Sequence, residues 1–188
     1  MRVSKAKVAE HRSAILQTAS RLFRERGFKD VGVAEIMQAS GLTHGAFYGH
    51  FRSKAELAKA ACQDACAQSL ERWEKSDDIT AILDRYLSPA HRDAPARGCA
   101  ISALGAEVAR QSVELQQDYA QGLERFIAAL EGHIKAEDAD ARRRKATTLF
   151  AAMVGAVTMA RGVASGDPAL SDAILEDVRQ QLRACFEV

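Results

Sequence analysis

The sequence predicts an all-α protein of about nine helices, and three observations support this. Apolar residues recur at helical spacing along nearly the whole chain, and no segment shows the two-residue alternation of a half-buried strand. Serine, threonine or aspartate precedes several of these segments, where it can cap a helix, and glycine follows others. The 188 residues are 47% hydrophobic and 27% charged, the balance of a globular chain that can bury a sizeable core.

The first four predicted helices end near Lys75, and turn or cap residues set their limits. The first helix stops at Gly27, the second ends at Gly41, and Thr43 is expected to cap the third. Ser53 and the glutamate three residues later form a predicted capping box for the fourth. The apolar faces are Ile15, Ala19, Leu22 and Phe23; Val33, Ile36 and Met37; Phe47 and Phe51; and Leu57, Ala61, Cys62, Cys66, Leu70 and Trp73.

Five further helices are predicted in the rest of the chain. Asp77 or Asp78 caps the fifth, which ends near Leu87. Residues 88–98 form the clearest predicted loop because they hold two of the three prolines. The last helix is expected to begin with Pro168, since proline suits the first helical position. The other three are predicted over residues 99–111, 113–135 and 139–164.

The formal net charge of +1 conceals an uneven distribution along the chain. Residues 1–58 carry ten Lys and Arg against five acidic residues, whereas residues 59–188 carry sixteen against twenty. A basic segment joined to an acidic body favours binding of a polyanion by the basic segment. Chance clustering of solvated charge is the alternative explanation.

The first three predicted helices form a unit of about forty residues, with a tight glycine-containing turn between the second and the third. This is the helix-turn-helix arrangement, in which the last helix enters the major groove of DNA. Small residues let that helix approach the DNA closely, and polar ones can donate hydrogen bonds to phosphates and base edges. The small residues are Gly45, Ala46 and Gly49, and the polar ones are Thr43, His44, Tyr48, His50 and Lys54.

Fixed spacings run through this unit: Gly27-Phe28, then Val33-x-x-Ile36, then Gly41-Leu42-Thr43-x-Gly45-x-Phe47-Tyr48-x-His50-Phe51-x-x-Lys54-x-x-Leu57. The pattern resembles the N-terminal signature of the TetR (tetracycline-repressor-like) family of bacterial regulators. The resemblance implies a homodimeric regulator, most often a repressor, that a small ligand releases from a palindromic operator in double-stranded DNA. It also implies two domains, residues 1–58 for DNA binding and residues 59–188 for effector binding and dimerisation.

The same resemblance assigns roles to individual residues. Phosphate contacts are expected from Thr43, Tyr48, His50 and Lys54. Base-edge contacts are expected from Ala34, His44, Gly45 and Ala46.

Two features of the body are candidates for recognising the effector, which is expected to be a small molecule or a thiol-reactive species. Cys99 follows Arg97-Gly98 at a helix start, and both the cation and the helix N-terminus favour a thiolate. Two interpretations of Cys99 follow: a small apolar residue buried in the core, which is preferred, or an accessible regulatory thiol. Cys62, Cys66 and Cys185 are expected on apolar helix faces. A ligand cavity is predicted to be lined by the set Tyr86, Tyr119, Phe126, Phe150, Met153 and Met159, although each residue taken alone is more often part of a core.

The two C-terminal helices are predicted to form a four-helix dimer interface with their copies. The alternative is that both helices pack only inside their own subunit. The predicted interface residues are Leu149, Met153, Val157, Ile174, Val178 and Leu182.

Other classes of protein find little support in the sequence. The longest uncharged run, residues 146–160, is shorter than the ~20 residues that cross a bilayer, and no apolar signal segment opens the chain. We therefore expect a cytoplasmic protein with reduced cysteines and no membrane partner. No catalytic motif is present, so no enzyme and no cofactor are expected. His44 and His50 face different sides of a helix, and packing explains Cys62 and Cys66, so no metal is expected either. A helical ligand carrier that binds no DNA is the alternative function, but it leaves the first 58 residues unexplained.

Overall fold

The computed structural model describes residues 4–76 and 78–186, and within these ranges the chain forms helices and no strand. The predicted all-α class is confirmed. The α-helices are α1 (Lys5–Arg26), α2 (Val33–Ala39), α3 (Lys54–Glu74), α4 (Ile79–Tyr86), α5 (Pro89–Arg92), α6 (Ala100–Val108), α7 (Val113–Glu131), α8 (Ala139–Val163) and α9 (Pro168–Phe186), with 3₁₀ helices at His44–Gly49 and Pro95–Arg97.

Side-chain caps begin the helices where the sequence predicts them. Ser53 Oγ accepts a hydrogen bond from the backbone N–H of Glu56 at 3.1 Å. The Glu56 carboxylate accepts from the N–H of Arg52 at 2.8 Å, so the return bond of the capping box reaches one residue further back than expected. Asp78 caps α4 through the N–H of Ala81 at 2.8 Å, while the alternative cap, residue 77, lies outside the described residues.

The segment predicted to be a loop, residues 88–98, contains two short helices. Ser88 caps α5 through the N–H of His91, Pro89 opens α5, and Pro95 opens the second 3₁₀ helix. The prolines that predicted a loop therefore stand at first helical positions, where the missing N–H is not needed.

Three more predicted helices differ from the structure. The third is a 3₁₀ helix rather than an α-helix, and the Thr43 side chain at its start makes no capping hydrogen bond. Without that cap a short segment gains little from α-helical bonding, and 3₁₀ geometry is common in such short pieces. The helices predicted to end at residues 111 and 135 end at Val108 and Glu131. Gly132, a poor helix former, follows the second of these.

The N-terminal unit consists of α1, α2 and the first 3₁₀ helix around a small aromatic core. Phe23, Phe47 and Phe51 are buried there, and the rings of the last two stack with centroids 6.0 Å apart. Gly41 forms the predicted tight turn with φ of 71°, a left-handed conformation that favours glycine. The packing therefore leaves the opposite side of the 3₁₀ helix free.

The core of the body lies where α3, α4, α7 and α8 meet. Trp73 contacts Phe126 with ring centroids 4.9 Å apart, and Phe126 stacks on Phe150 at 5.2 Å. Tyr86 closes the cluster, 6.0 Å from Trp73. α3 runs without a break past residue 58, so the predicted domain boundary falls inside a helix that packs against both α1 and α7.

By length and composition α8 could cross a membrane, with a mean hydropathy of 1.4 over its most apolar window. The core helix of a globular protein meets the same criterion, and the buried side of α8, with Leu149, Phe150 and Met153, packs into the core just described.

Candidate DNA interface and ligand cavity

The 3₁₀ helix His44–Gly49 presents polar side chains to solvent. Phe47 is buried beneath it, whereas Tyr48 is 67% exposed and its ring lies 6.4 Å from that of His44. A Cβ placed on Gly45 or Gly49 would meet nothing within 4 Å, so the backbone on this side is open to a large partner. Among the predicted DNA contacts, those exposed are Ala34, Thr43, His44, Gly45 and Tyr48, and those partly exposed are Ala46, His50 and Lys54.

His50 packs against α1 rather than standing free. Its ring centroid lies 6.1 Å from that of His11, and the Arg12 guanidinium lies 4.6 Å from the centroid of the Phe51 ring. Burial, followed by the nearby charges of His11 and Arg12, lowers the pKa of His50. In the protein without DNA, this lowered pKa favours the neutral form of the His50 ring.

Two hydrogen bonds join the N-terminal unit to the two ends of α6. Arg24 is buried and donates from Nη1 to the carbonyl of Gly98 at 2.8 Å, just before α6 begins. The N–H of Phe28 donates to Glu107 near the end of α6, also at 2.8 Å. Gly27 is required beside this bond, because φ is 83° and a Cβ there would lie 2.0 Å from Glu107 Oε1.

This pair of bonds was not predicted from the sequence, in which Arg24 contributed only to the net charge. The bonded residues are 74 and 79 positions apart in the chain, so no local pattern marks them. An arginine directly after Phe23, on a helix with a buried side, is the one available signal.

A cavity of about 220 Å³ opens beside the start of α6. Its floor includes the buried side chains of Trp73, Tyr86 and Cys99. Exposed arginines stand at its rim, and no aspartate or glutamate from the described part of the chain lines it. The rim arginines are Arg72, Arg85 and Arg97.

The His91 ring forms hydrogen bonds with two backbone groups in the wall of this cavity. Its Nδ1 lies 2.7 Å from the carbonyl of Tyr86, and its Nε2 accepts from the N–H of Cys99 at 3.1 Å. This pattern assigns the proton to Nδ1. Burial, reinforced by the charges of Arg161 and Arg72, lowers the pKa of His91 to about 4, so the ring is neutral at neutral pH.

The predicted ligand residues do not share one cavity. Tyr86 lines the cavity beside α6, but Tyr119 lines another cleft and donates to the carbonyl of Ile101 at 3.2 Å. The other four residues line neither of these two cavities, so a ligand role for them stays a prediction. Phe126, Phe150 and Met153 are fully buried in the core, and Met159 is 55% exposed on the surface.

Cys99 is buried, as the preferred of its two interpretations has it, and it is not an accessible thiol. Its side chain is 4% exposed, and burial raises the pKa of the thiol despite the adjacent helix N-terminus. The chemical basis for reactivity is therefore wrong, and the regulatory role stays a prediction without it. Cys62 and Cys66 are buried with their pKa values raised to about 12, whereas Cys185 is exposed rather than on an apolar packed face.

Four of the six predicted dimer residues face the interior of their own subunit. Leu149, Met153 and Val157 have no exposed surface, and Leu182 is 6% exposed. The prediction is wrong for these four, because the most apolar side of α8 fills the core. Ile174 and Val178 on α9 are partly exposed.

An exposed helix-turn-helix unit joined to a helical body with a cavity is typical of DNA-binding regulators in which a single polypeptide carries both parts. Residues 15–61 match the profile described as bacterial regulatory proteins of the tetR family. Residues 76–181, more than half of the chain, match the profile of the LmrA/YxaF-like transcriptional regulator C-terminal domain. The chain belongs to the TetR family of bacterial transcriptional regulators.

Individual relatives agree with this membership. The HTH-type transcriptional regulator AcrR of Shigella flexneri is 41% identical over 83 residues, 44% of this chain and 34% of the relative. The HTH-type transcriptional repressor NemR of Escherichia coli K12 is 29% identical over 135 residues, 66% of this chain and 68% of the relative. A crystal structure of a TetR regulator from Chloroflexus aurantiacus superposes with a TM-score of 0.78 at 26% identity, covering 95% of each chain. Several matches are confined to a short segment that spans 25% to 34% of the curated relative.

Proposed function

We propose that this protein is a homodimeric, cytoplasmic repressor that binds a palindromic operator and releases it when a ligand binds. The exposed polar side of the 3₁₀ helix His44–Gly49, carried by the basic part of the chain, is the observation behind this proposal. The relative NemR is itself named a transcriptional repressor. No catalytic role is proposed for any residue.

In the proposed complex the 3₁₀ helix lies in the major groove. Gly45 and Ala46 let its backbone approach the bases, and His44 offers ring nitrogens to a base edge. Thr43, Tyr48, His50 and Lys54 contact phosphates, which position the helix without reading the sequence. Ala34 of α2 also lies against a base edge. In the dimer, the two 3₁₀ helices would be about 34–36 Å apart, one turn of DNA.

Single substitutions separate these roles. Lys54→Ala and Tyr48→Phe are expected to weaken binding to all sequences about equally, because phosphate contacts carry no sequence information. Lys54→Ala should also make the negative slope of log affinity against log salt concentration shallower by about 0.9. His44→Ala should instead change which base is preferred at one operator position. Operator fragments selected by the purified protein, followed by mobility-shift titrations at several salt concentrations, measure all three effects.

An unchanged affinity and salt slope for Lys54→Ala would contradict the proposed docking. Gln38→Ala is a control, since Gln38 is exposed on α2 but has no proposed role in binding. A protein that gives no salt-sensitive shift with any selected fragment would be the helical ligand carrier considered above.

The proposed dimer forms through the outer faces of α8 and α9. On α8, Gly155 and Met159 lie one turn apart on the side away from the core, and Met159 is 55% exposed. A Cβ on Gly155 would meet nothing within 4 Å, so a partner helix could approach closely. Ile174 and Val178 of α9 have the same one-turn spacing and are partly exposed. Pairing each face with its own copy by a two-fold axis gives an isologous interface.

We expect Met159→Arg to convert the dimer to a folded monomer, because it places a charge in the apolar interface without touching the core. Val157→Arg should instead unfold the chain, since this side chain has no exposed surface and an unpaired buried charge costs about 3–5 kcal/mol. Light scattering and circular dichroism measure the two results. A dimer that survives Met159→Arg at micromolar concentration would refute this interface.

The proposed ligand response passes through α6. The cavity adjoins the start of this helix, and its wall includes Gly98, whose carbonyl is bonded to Arg24 of α1. A ligand that displaces the wall would therefore move a hydrogen-bond acceptor of the DNA-binding unit. The second bond, from Phe28 to Glu107, would carry movement of the far end of α6 to the same unit.

A further inference from the structure

The charge and shape of the cavity beside α6 together indicate what it binds. At about 220 Å³ it exceeds the roughly 150 Å³ that accommodates one benzene molecule in an apolar protein cavity. Its floor is aromatic, with the rings of Trp73 and Tyr86 in an edge-to-face arrangement, their centroids 6.0 Å apart. A single substituted aromatic ring therefore fits the volume and the floor.

The rim has the opposite character from the floor. Arg72, Arg85 and Arg97 line the cavity and are exposed to solvent, and none of the described acidic residues lines it. The charge of Arg72 also contributes to the lowered pKa values of Arg24 and His91, so the positive field reaches the neighbouring groups. Arginine donors match the geometry of a carboxylate.

A buried hydroxyl supplies a second, independent observation. Tyr86 is 4% exposed and lines the cavity, and its hydroxyl, which lies beside the Cys99 thiol and the Ser102 hydroxyl, makes no hydrogen bond of normal geometry with the residues described. An unpaired buried hydroxyl is unfavourable, and a polar group on a bound molecule would satisfy it.

We propose that this cavity binds a small aromatic carboxylate, with the ring on the Trp73–Tyr86 floor and the carboxylate among the three rim arginines. A hydroxyl at the far end of the ring pairs with the Tyr86 hydroxyl. The inference takes the cavity to be the effector site of the proposed function, and it adds the chemical class of the effector.

Trp73 is the only tryptophan in the chain, so its fluorescence reports directly on the cavity. The probes are benzoate, 4-hydroxybenzoate and 3-phenylpropanoate, each compared with its primary amide, titrated into the dimer without DNA. We expect the carboxylates to change the fluorescence saturably and the uncharged amides to bind at least about tenfold more weakly. Binding of the carboxylates should weaken as salt is added.

Variants test the two ends of the proposed ligand. Arg72→Gln, Arg85→Gln and Arg97→Gln should each weaken carboxylate binding by about three- to tenfold, the modest size reflecting their exposure. Arg144→Gln, an exposed arginine outside the cavity lining, should have no effect. Tyr86→Phe should abolish any advantage of 4-hydroxybenzoate over benzoate while leaving the empty protein as stable as before.

Three outcomes would overturn the proposal: amides that bind as tightly as the acids, rim variants that behave like Arg144→Gln, or no fluorescence change with any carboxylate at millimolar concentration. Operator binding is measured in parallel and reports on the proposed function separately. A further outcome is that carboxylates bind in an arginine-dependent way and yet fail to release the operator. That result would refute the effector role of the cavity, but the cavity would still be a binding site for carboxylates.

Discussion

Replacing Arg24 by methionine is expected to uncouple ligand binding from DNA release while leaving DNA binding itself almost intact. The buried guanidinium donates to the Gly98 carbonyl and, within α1, to the carbonyl of Ser20 at 3.0 Å. Methionine fills much of the same space but donates no hydrogen bond. The buried Gly98 carbonyl then loses its partner, which should lower the free energy of unfolding by about 1–3 kcal/mol.

The functional effect should be larger than the effect on stability. Binding of a ligand at one site commonly changes the affinity of a second site by about 5- to 150-fold. In Arg24→Met, most of the effect of the ligand on operator affinity should be lost. Mobility-shift titrations with and without a saturating aromatic carboxylate measure the coupling, and urea unfolding measures the stability. Amide hydrogen exchange at Gly98 and Cys99 should accelerate in the same variant, which is a readout independent of any ligand.

Arg21→Met is the matched control for this experiment. Arg21 lies on the same helix, but its ion pair with Glu25 is exposed and contributes little. A ligand response in Arg24→Met equal to that of the unmodified protein, with unchanged exchange at Gly98, would contradict the proposed route through α6.

Acid is expected to destabilise the protein through His91. The pKa of His91 is about 4 in the folded chain and 6.5 when unperturbed, so between these values the unfolded chain binds a proton that the folded chain does not. The contribution of neutral His91 to stability is therefore complete above pH 6.5 and is lost as the pH falls towards 4, by up to about 3 kcal/mol. Protonation also puts a donor on Nε2, which opposes the bond from the Cys99 N–H.

Urea unfolding at neutral pH and at about pH 4.5 tests this expectation. Other groups titrate in the same range, so the relevant quantity is the difference between the unmodified protein and His91→Gln at each pH. His133→Gln serves as the control, because that side chain is exposed. A stability difference between the unmodified protein and His91→Gln that does not change with pH would contradict the buried, neutral state of His91.

Local patterns were sufficient for most of the fold. Helical spacing of apolar residues predicted the all-α class, and Ser53 and Asp78 predicted two helix starts that the structure contains. Gly41 predicted the tight turn before the 3₁₀ helix. These features could be read from the sequence because a helix, its cap and its terminating glycine lie within a few residues of each other. The prediction of a loop over residues 88–98 was wrong, because proline disrupts the interior of a helix but is favoured at its first position.

Which side of each helix is buried was harder to predict. Leu149, Met153 and Val157 form an apolar stripe, and such a stripe suits a dimer interface and a subunit core equally well. Cys99 had the sequence context of a reactive thiol, but its side chain is buried next to Tyr86, which comes from outside its helix.

The sequence by itself determined the helical fold and the TetR-type signature, and it supplied the residues proposed to meet DNA, since each depends on neighbours in the chain. Only the tertiary structure decided that Phe126 and Phe150 fill the core and that three arginines line one cavity. It also decided that Arg24 and the Phe28 N–H bond the N-terminal unit to the two ends of α6. These arrangements join residues that are far apart in the chain. They result from how the helices pack together, and the periodicity of a single helix carries no information about its partner.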